Sequence, residues 1–380
     1  MQIELLSNSI DIGKYLKNIN VDSGGVAILS LKALHYTIFI RDLHVGAANI
    51  LKQDALSVGA DLAVPRGTVV AKTPYVDCIL IATARQLQRL GKKELAQPFG
   101  LKEVAYKLQE ILKVKKPSHA EVMGVINAND DSFFSASRFK ENSAIEAIER
   151  MIEEGADIID VGGVSSAPNS VHVDKAEELR RVKPILDLIQ SKKLYDRVKF
   201  SIDSYEPLVI EHALMSGFKI VNDITGLANS EVAKLCASYG ATTVIMHMQK
   251  TPQTMQKSPQ YEHILSDIYS FLSSRVQEAE AFGVKDIILD VGIGFGKTLE
   301  HNLMLIKHQE HFLTLGKPLL VGASRKSMID KISPCAPKER LGGTLALHLE
   351  SVKNGASIIR VHDVQEHVQA LKIQQALMNI

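Results

Sequence analysis

The chain has 380 residues, of which 46% are hydrophobic and 23% charged, and its formal net charge is +1. A nucleic-acid partner calls for a basic excess that is absent, and no apolar run reaches membrane-spanning length. The length suits two domains, or one large domain with an appendage.

The first 115 residues carry no regular rhythm. Their opening stretch, "MQIELLSNSIDIGKYLKN", lacks a basic segment followed by an apolar core, so no export signal is expected. Apolar runs "VAIL", "YTIFIRD", "DLAVP" and "DCILIATA" alternate with helical patterns over residues 47–58 and 101–114. This reads as a small mixed α/β domain over 1–115, and no acid, base and nucleophile cluster there to suggest chemistry. "KVKKPSHA" then has the Lys and Pro content of a short linker, so a second domain is expected over 116–380. Cys78, Cys236 and Cys335 are far apart without Cys-x-x-Cys spacing, which fits idle thiols in a reducing compartment and a cytoplasmic location.

From about residue 120 a phrase repeats: a charged amphipathic stretch, a glycine, then a short β-branched run. It appears as "EEGADIIDVGG", "SGFKIVNDITG", "SYGATTVIMHM", "FGVKDIILDVG", "LGKPLLVGAS" and "NGASIIRVHDV". Glycine just past a helix takes up the left-handed conformation easily and ends it. The runs are nearly continuous in apolar residues, as parallel strands buried on both faces require. With "EVMGVINA" and "RVKFSIDS" there are eight. Eight βα units in this length predict a closed (β/α)8 TIM barrel, with a doubly wound open sheet as the alternative.

Each run ends on polar residues: Asn127, Asp160, Asp203, Asn222 with Asp223, His247, Asp290, Ser324 to Lys326, and Arg360 with His362 and Asp363. Single members could be helix caps. In a barrel, however, all these ends meet at one mouth, where catalytic groups sit. The sixth run continues as "DVGIGFGKT", whose glycine spacing fits neither a P-loop nor a dinucleotide fingerprint. Within it Lys297 reads equally well as an exposed loop lysine or a ligand contact.

The ordered set "NANDDSF", "GADIIDVGGVSSAP", "SIDS", "VNDITG", "MHMQKTPQTMQ", "LDVGIGFGKT", "GASRKSMI", "GGTLALHL" and "RVHDV" resembles dihydropteroate synthase over about residues 120–380. The resemblance implies condensation of 6-hydroxymethyl-7,8-dihydropterin diphosphate with p-aminobenzoate, releasing pyrophosphate. It implies that Asp203, Asn222 and Asp290 receive the N–H edge of the pterin, with Phe295 flanking and Lys326 on the pterin side. Ser166, Ser324 and Arg325 would serve the aminobenzoate and loop region, and Arg360 with His362 the diphosphate. Asp203, Asp290, Lys326 and Arg360 are the expected catalytic set, and Asn127 the expected contact for Mg²⁺. A planar guanidinium suits phosphate, and magnesium uses few protein ligands, so these types fit those roles. For Arg360 a salt bridge to Asp363 is the competing reading, and for His362 an ordinary packed histidine. Partners would be small-molecule substrates, with no nucleic acid and no membrane, and a homodimer is compatible with the sequence.

The chain departs from the family pattern in two loops and after the sixth strand. Asn129 and Asp130 stand where Thr and Pro are usual, and Val164, Ser166 and Ala167 where Glu, Thr and Arg are usual. Val291 replaces a proline after Asp290. A methyltransferase using a folate-borne methyl group is one alternative, disfavoured by the two anion-binding elements. A non-catalytic pterin-binding paralogue is the other, supported only by the altered loops.

Overall fold

A computed structural model of the chain describes residues 1–7, 10–128, 141–164 and 173–378. They form two units, Met1–Val114 and Lys115–Ile380. The first unit opens with α1 (Ile12–Asn18) and α2 (Ser23–Ala33), begun by Asp11 and Asp22, whose carboxylates accept backbone N–H groups of the first turns. The "VAIL" run therefore lies in a helix. Four apolar residues carry no period that separates helix from strand, and the Asp22 cap upstream decides it.

The other three apolar runs of this unit supply β1 (His35–His44), β2 (Asp61–Ala63) and β3 (Tyr75–Thr83). They form an antiparallel sheet in the order β1-β3-β2, with α3 (Val45–Val58), α4 (Ala84–Lys93) and α5 (Leu101–Ile111) completing the unit. Alternation along β3 buries Val76, Cys78, Leu80 and Ala82, which pack with Leu51, Leu87, Leu90, Leu101 and Leu108 of the helices. The opposite face keeps Phe39, Ile79 and Ile81 exposed, Phe39 directly across from Ile79.

The second unit is a closed barrel of eight parallel strands. They are β4 (Glu121–Asn127), β5 (Ile158–Gly162), β6 (Lys199–Asp203), β7 (Ile220–Asp223), β8 (Thr242–Met246), β9 (Ile287–Asp290), β10 (Leu319–Val321) and β11 (Ile358–Val361). Helices α6 (Glu141–Glu154), α7 (Lys175–Ser191), α8 (Pro207–Met215), α9 (Ser230–Tyr239), α10 (Ile264–Ala281) and α11 (Leu299–Lys307) lie between successive strands. Two more, α12 (Ser327–Ile332) and α13 (Leu341–Lys353), separate β10 from β11, and α14 (Val364–Met378) follows. Pairing of Ile358 to Val361 with Glu121 to Gly124 closes the ring and removes the open-sheet alternative. Among the described residues no helix is long and apolar enough to cross a membrane.

The barrel interior changes character along its axis. One layer is apolar, built from Met123, Ile158, Ile220, Val244, Ile288, Leu320 and Ile358, one residue from each of seven strands. Two residues further along a strand the side chain returns to the same face. Ile158 is thus followed inward by Asp160, Ile220 by Asn222, Ile288 by Asp290 and Ile358 by Arg360. An apolar floor carries a polar layer, and that layer opens on the mouth.

Candidate active site

The polar layer is held together by charge. Arg360 donates from Nε to Asp160 Oδ2 and from Nη2 to Asp203 Oδ2, each at 2.6 Å. Asp160 is fully buried, and the same oxygen accepts from Asn222 Nδ2 at 3.1 Å. Strands β5, β6, β7 and β11 therefore share one ion cluster across the barrel. Burial raises the Asp203 carboxyl to about 7 against the opposing pull of Arg360, with neighbouring Asp160 and Glu178 adding to the rise. The Arg360–Asp363 pair considered from sequence does not form. Asp363 binds Arg325 instead, accepting from its Nη2 and, at 3.2 Å, from its Nε.

Asp290 closes β9 and is buried; its Oδ1 accepts the Gly292 N–H at 2.7 Å. Burial raises its carboxyl, while that hydrogen bond and the charges of Lys326, Lys297 and Arg360 oppose the rise. Lys326 enters from the β10 loop with its ammonium 4.3 Å from the centroid of the Phe295 ring. Burial and the Arg360 charge bring its amine down to about 8. Phe295 itself packs with Ile224, Met246 and Met255, so the flank expected there is an apolar wall under a cation.

Lys297 is neither exposed nor free to meet a ligand. Only 2% accessible, it donates to His247 Nδ1 at 3.0 Å, to the Phe295 carbonyl at 2.9 Å and to the His247 carbonyl at 3.4 Å. It ties the β8 and β9 loops together. Burial lowers its amine to about 7 and the His247 imidazole to about 3.

The β10 and β11 loops meet at Ser324 and His362. The Ser324 hydroxyl lies 2.8 Å from His362 Nδ1 and accepts the His362 N–H at 3.3 Å. A neutral ring with its proton on Nε2 satisfies both contacts, and burial followed by the charges of Arg325, Arg360 and Lys326 takes this imidazole to about 3. His362 thus brings no charge to the mouth. Arg325 is paired with Asp363, its side chain 12% exposed. Asn127 ends β4 on the same barrel end, half-buried, opposite Gly162 of β5. Ser166, with Asn129, Asp130 and Ala167, lies outside the described residues.

Two members of the cluster had no role assigned from sequence. Asp160 stood among the strand ends, and its inward register two residues after Ile158 was the available signal. Glu178 of α7 is 3% exposed and raised to about 7, with burial the leading cause. Nothing in "DKAEELRRV" separates it from its solvated neighbours.

The arrangement offers buried carboxylates and an amide to a ligand with N–H donors, beside a lysine and an arginine suited to an anion. A family model described as "Pterin binding enzyme" matches residues 123–362. A Helicobacter pylori protein named bifunctional dihydropteroate synthase/dihydropteroate reductase is 44% identical over 346 residues, covering 91% of each chain. The crystal structure of Yersinia pestis dihydropteroate synthase with a sulfonamide drug complex superposes with a TM-score of 0.66 at 35% identity, covering 69% of this chain and 96% of that one. The Thermus thermophilus dihydropteroate synthase in complex with 4-aminobenzoate gives 0.62 at 37% identity, covering 68% and 95%.

Proposed function

The chain belongs to the pterin-binding enzymes and, within them, to the dihydropteroate synthases, and we propose that its barrel mouth works through the charge cluster around Arg360. The reaction joins 6-hydroxymethyl-7,8-dihydropterin diphosphate to p-aminobenzoate and releases pyrophosphate. The observation that carries the site assignment is the ring of Asp160, Asp203, Asn222, Asp290, Lys326 and Arg360 above an apolar floor.

A pterin edge presents N–H donors, and Asp203, Asp290 and the Asn222 oxygen are the acceptors placed to meet them. Because these groups are buried and fixed before the ligand arrives, their interaction with it is little weakened by water. Lys326 and Arg360 place positive charge beside the carbon where the diphosphate departs, and His362 adds no charge. The arylamine then forms its C–N bond to the pterin methylene as the C–O bond to diphosphate breaks, and the amine's proton is lost to solvent or a nearby base.

Magnesium belongs to the same proposal. Among the described residues no group of three or more His, Cys, Asp or Glu side chains is arranged to hold a metal. A single amide oxygen from Asn127, completed by substrate phosphate and water, suits Mg²⁺, which keeps much of its hydration. When bound, the ion would neutralise charge on the departing pyrophosphate. Pyrophosphate release is expected only when both substrates and Mg²⁺ are present. Equal release without p-aminobenzoate, or in EDTA, would reject the condensation and its metal requirement respectively.

Cytoplasmic residence and a homodimer are further proposals. The first is supported by three free cysteines, Cys78 and Cys236 among them buried. The second is supported by exposed apolar side chains on neighbouring barrel helices, Leu208 and Met215 on α8 and Tyr239 on α9.

We further propose that the chain carries a second activity. The match to the Helicobacter pylori protein is longer than the barrel, so it takes in much of residues 1–114. That relative's name includes dihydropteroate reductase, and we extend this activity to the present chain. Supplied with dihydropteroate and a hydride-donating nicotinamide, the full chain should form tetrahydropteroate. Absence of reduction with a range of electron donors would confine the chain to the synthase step.

A further inference from the structure

Behind the β10 and β11 loops lies a pair of histidines that the reaction above does not use. His348 on α13 and His367 on α14 are both buried, at 0% and 1% exposure. The Ala323 N–H donates to His348 Nε2 at 3.0 Å. That nitrogen is an acceptor, so the proton of the neutral ring sits on Nδ1. His348 Nδ1 lies 2.9 Å from His367 Nε2, which accepts in turn. His367 then carries its own proton on Nδ1 and donates it to the Asp363 carbonyl. With both rings neutral, a single arrangement of protons satisfies the three contacts. Burial is the main reason both imidazoles are less basic than usual, His348 well below its ordinary value.

The two ends of this line are informative. Ala323 immediately precedes Ser324, and Asp363 immediately follows His362. Asp363 also grips Arg325 through its carboxylate, while Ser324 bonds His362 on the mouth side. Arg325 sits at φ 56 with its N–H on the Thr344 hydroxyl at 3.0 Å and its carbonyl receiving Arg340 Nη1 at 3.0 Å, so α13 and its approach also hold the loop from behind. The β10 loop carries Lys326 and the β11 strand end carries Arg360, the two cations of the site. For both to meet one anion, their spacing must be fixed within fractions of an ångström.

We propose that His348 and His367 are positioning residues that clamp the Ala323 N–H to the Asp363 carbonyl and thereby set the spacing of the two anion-binding loops. What those loops bind rests on the synthase reading; the clamp itself does not. Without His348 the Ala323 N–H would be a buried donor with no acceptor, and the loop would shift to find one. The shift would be felt by the diphosphate, which the cations of both loops must meet together.

The test has a spectroscopic and a kinetic arm. In ¹⁵N-histidine-labelled full chain, with signals identified by their loss in His348→Gln and His367→Gln, both rings should be neutral with protons on Nδ1. An Nε2–H tautomer at His348 overturns the clamp whatever the enzyme does. In kinetics, glutamine can place its carbonyl oxygen near the Nε2 position and accept from Ala323, whereas leucine cannot. His348→Leu should raise the KM for dihydropterin diphosphate about tenfold and weaken inorganic pyrophosphate similarly, with kcat changed less than about twofold. His348→Gln should recover most of that loss. Equal impairment of the two variants, or a lower melting temperature with unchanged KM, overturns the proposal. If the leucine variant does not fold, His348→Asn replaces it, since asparagine reaches the Nδ1 position and not Nε2. Failure of the wild-type chain to release pyrophosphate would reject the synthase reading and leave the clamp to be decided by the tautomers.

Discussion

Arg360→Ala is expected to lower the stability of the barrel by about 3–5 kcal/mol near pH 8, besides weakening the diphosphate substrate. Arg360 answers the charge of Asp160, which has no exposure, and of Asp203, whose side chain is 10% exposed. Its removal leaves two carboxylates in the barrel interior with no cation in contact. Protonation is their remaining way out, so the loss should depend on pH. Burial already holds the Asp203 carboxyl above the ordinary carboxylate value of about 4 in the folded chain. Without Arg360 its folded value rises further. The folded state then binds more protons than the unfolded chain between the two values, and stability falls as pH rises through that window. Melting curves of the variant and the parent should lie closest near pH 5 and separate as pH increases. A gap that is constant with pH would show that the guanidinium acts by packing alone. An unchanged melting temperature would remove Arg360 from the cluster and leave only its role toward the diphosphate.

Gly292→Ala should be the most damaging small change in the glycine-rich loop after Asp290. The residue sits at φ 69, and a Cβ there would fall 2.0 Å from the His247 carbonyl oxygen. That carbonyl cannot swing aside freely, because the His247 N–H is bonded to the Asp290 carbonyl at 2.9 Å and the Lys297 ammonium lies 3.4 Å from the carbonyl oxygen and 3.3 Å from the added Cβ. The β8 and β9 loops must separate, taking His247, Lys297 and the Asp290 cap with them. A loss of more than about 3 kcal/mol is expected, with pterin binding lost as well. Gly316 supplies the control, since at φ 70 an added Cβ meets nothing within 4 Å. Gly316→Ala should cost about 1–2 kcal/mol, the backbone penalty by itself. Urea denaturation of the two variants measures the difference. If Gly292→Ala is no worse than Gly316→Ala, the loops yield more easily than their hydrogen bonds imply.

The contrast between these glycines also answers why the motif is so rich in them. At Gly294 the nearest group to an added Cβ is the flexible Lys326 chain at 3.2 Å. The close approach to backbone at Gly292 therefore sets the strictest limit. Neither fact is visible in "DVGIGFGKT", because the obstruction at Gly292 comes from His247, just past β8 and about forty-five residues earlier in the chain.

The sequence by itself determined the kind of fold and the chemistry at each strand end. Strand runs, helix stops and the polar residue closing each run are local patterns of period 2 and 3.6, and a linear chain displays them directly. Asp203, Asn222, Asp290, Lys326 and Arg360 could be collected from it because a barrel carries all strand ends to one side. Partner choice was decided only by closure. Arg360 passes over Asp363, three residues away, for Asp160 and Asp203 on strands far off in sequence, since inward register aims it across the barrel while Asp363 turns to Arg325. Lys297 reads as a loop lysine and is buried because two loops converge on it. His348 and His367 look like unremarked helix residues until packing of α13 against α14 brings their rings together. Local sequence sets what each segment can be, whereas a hydrogen-bond partner depends on strand register and barrel closure, which no single segment contains.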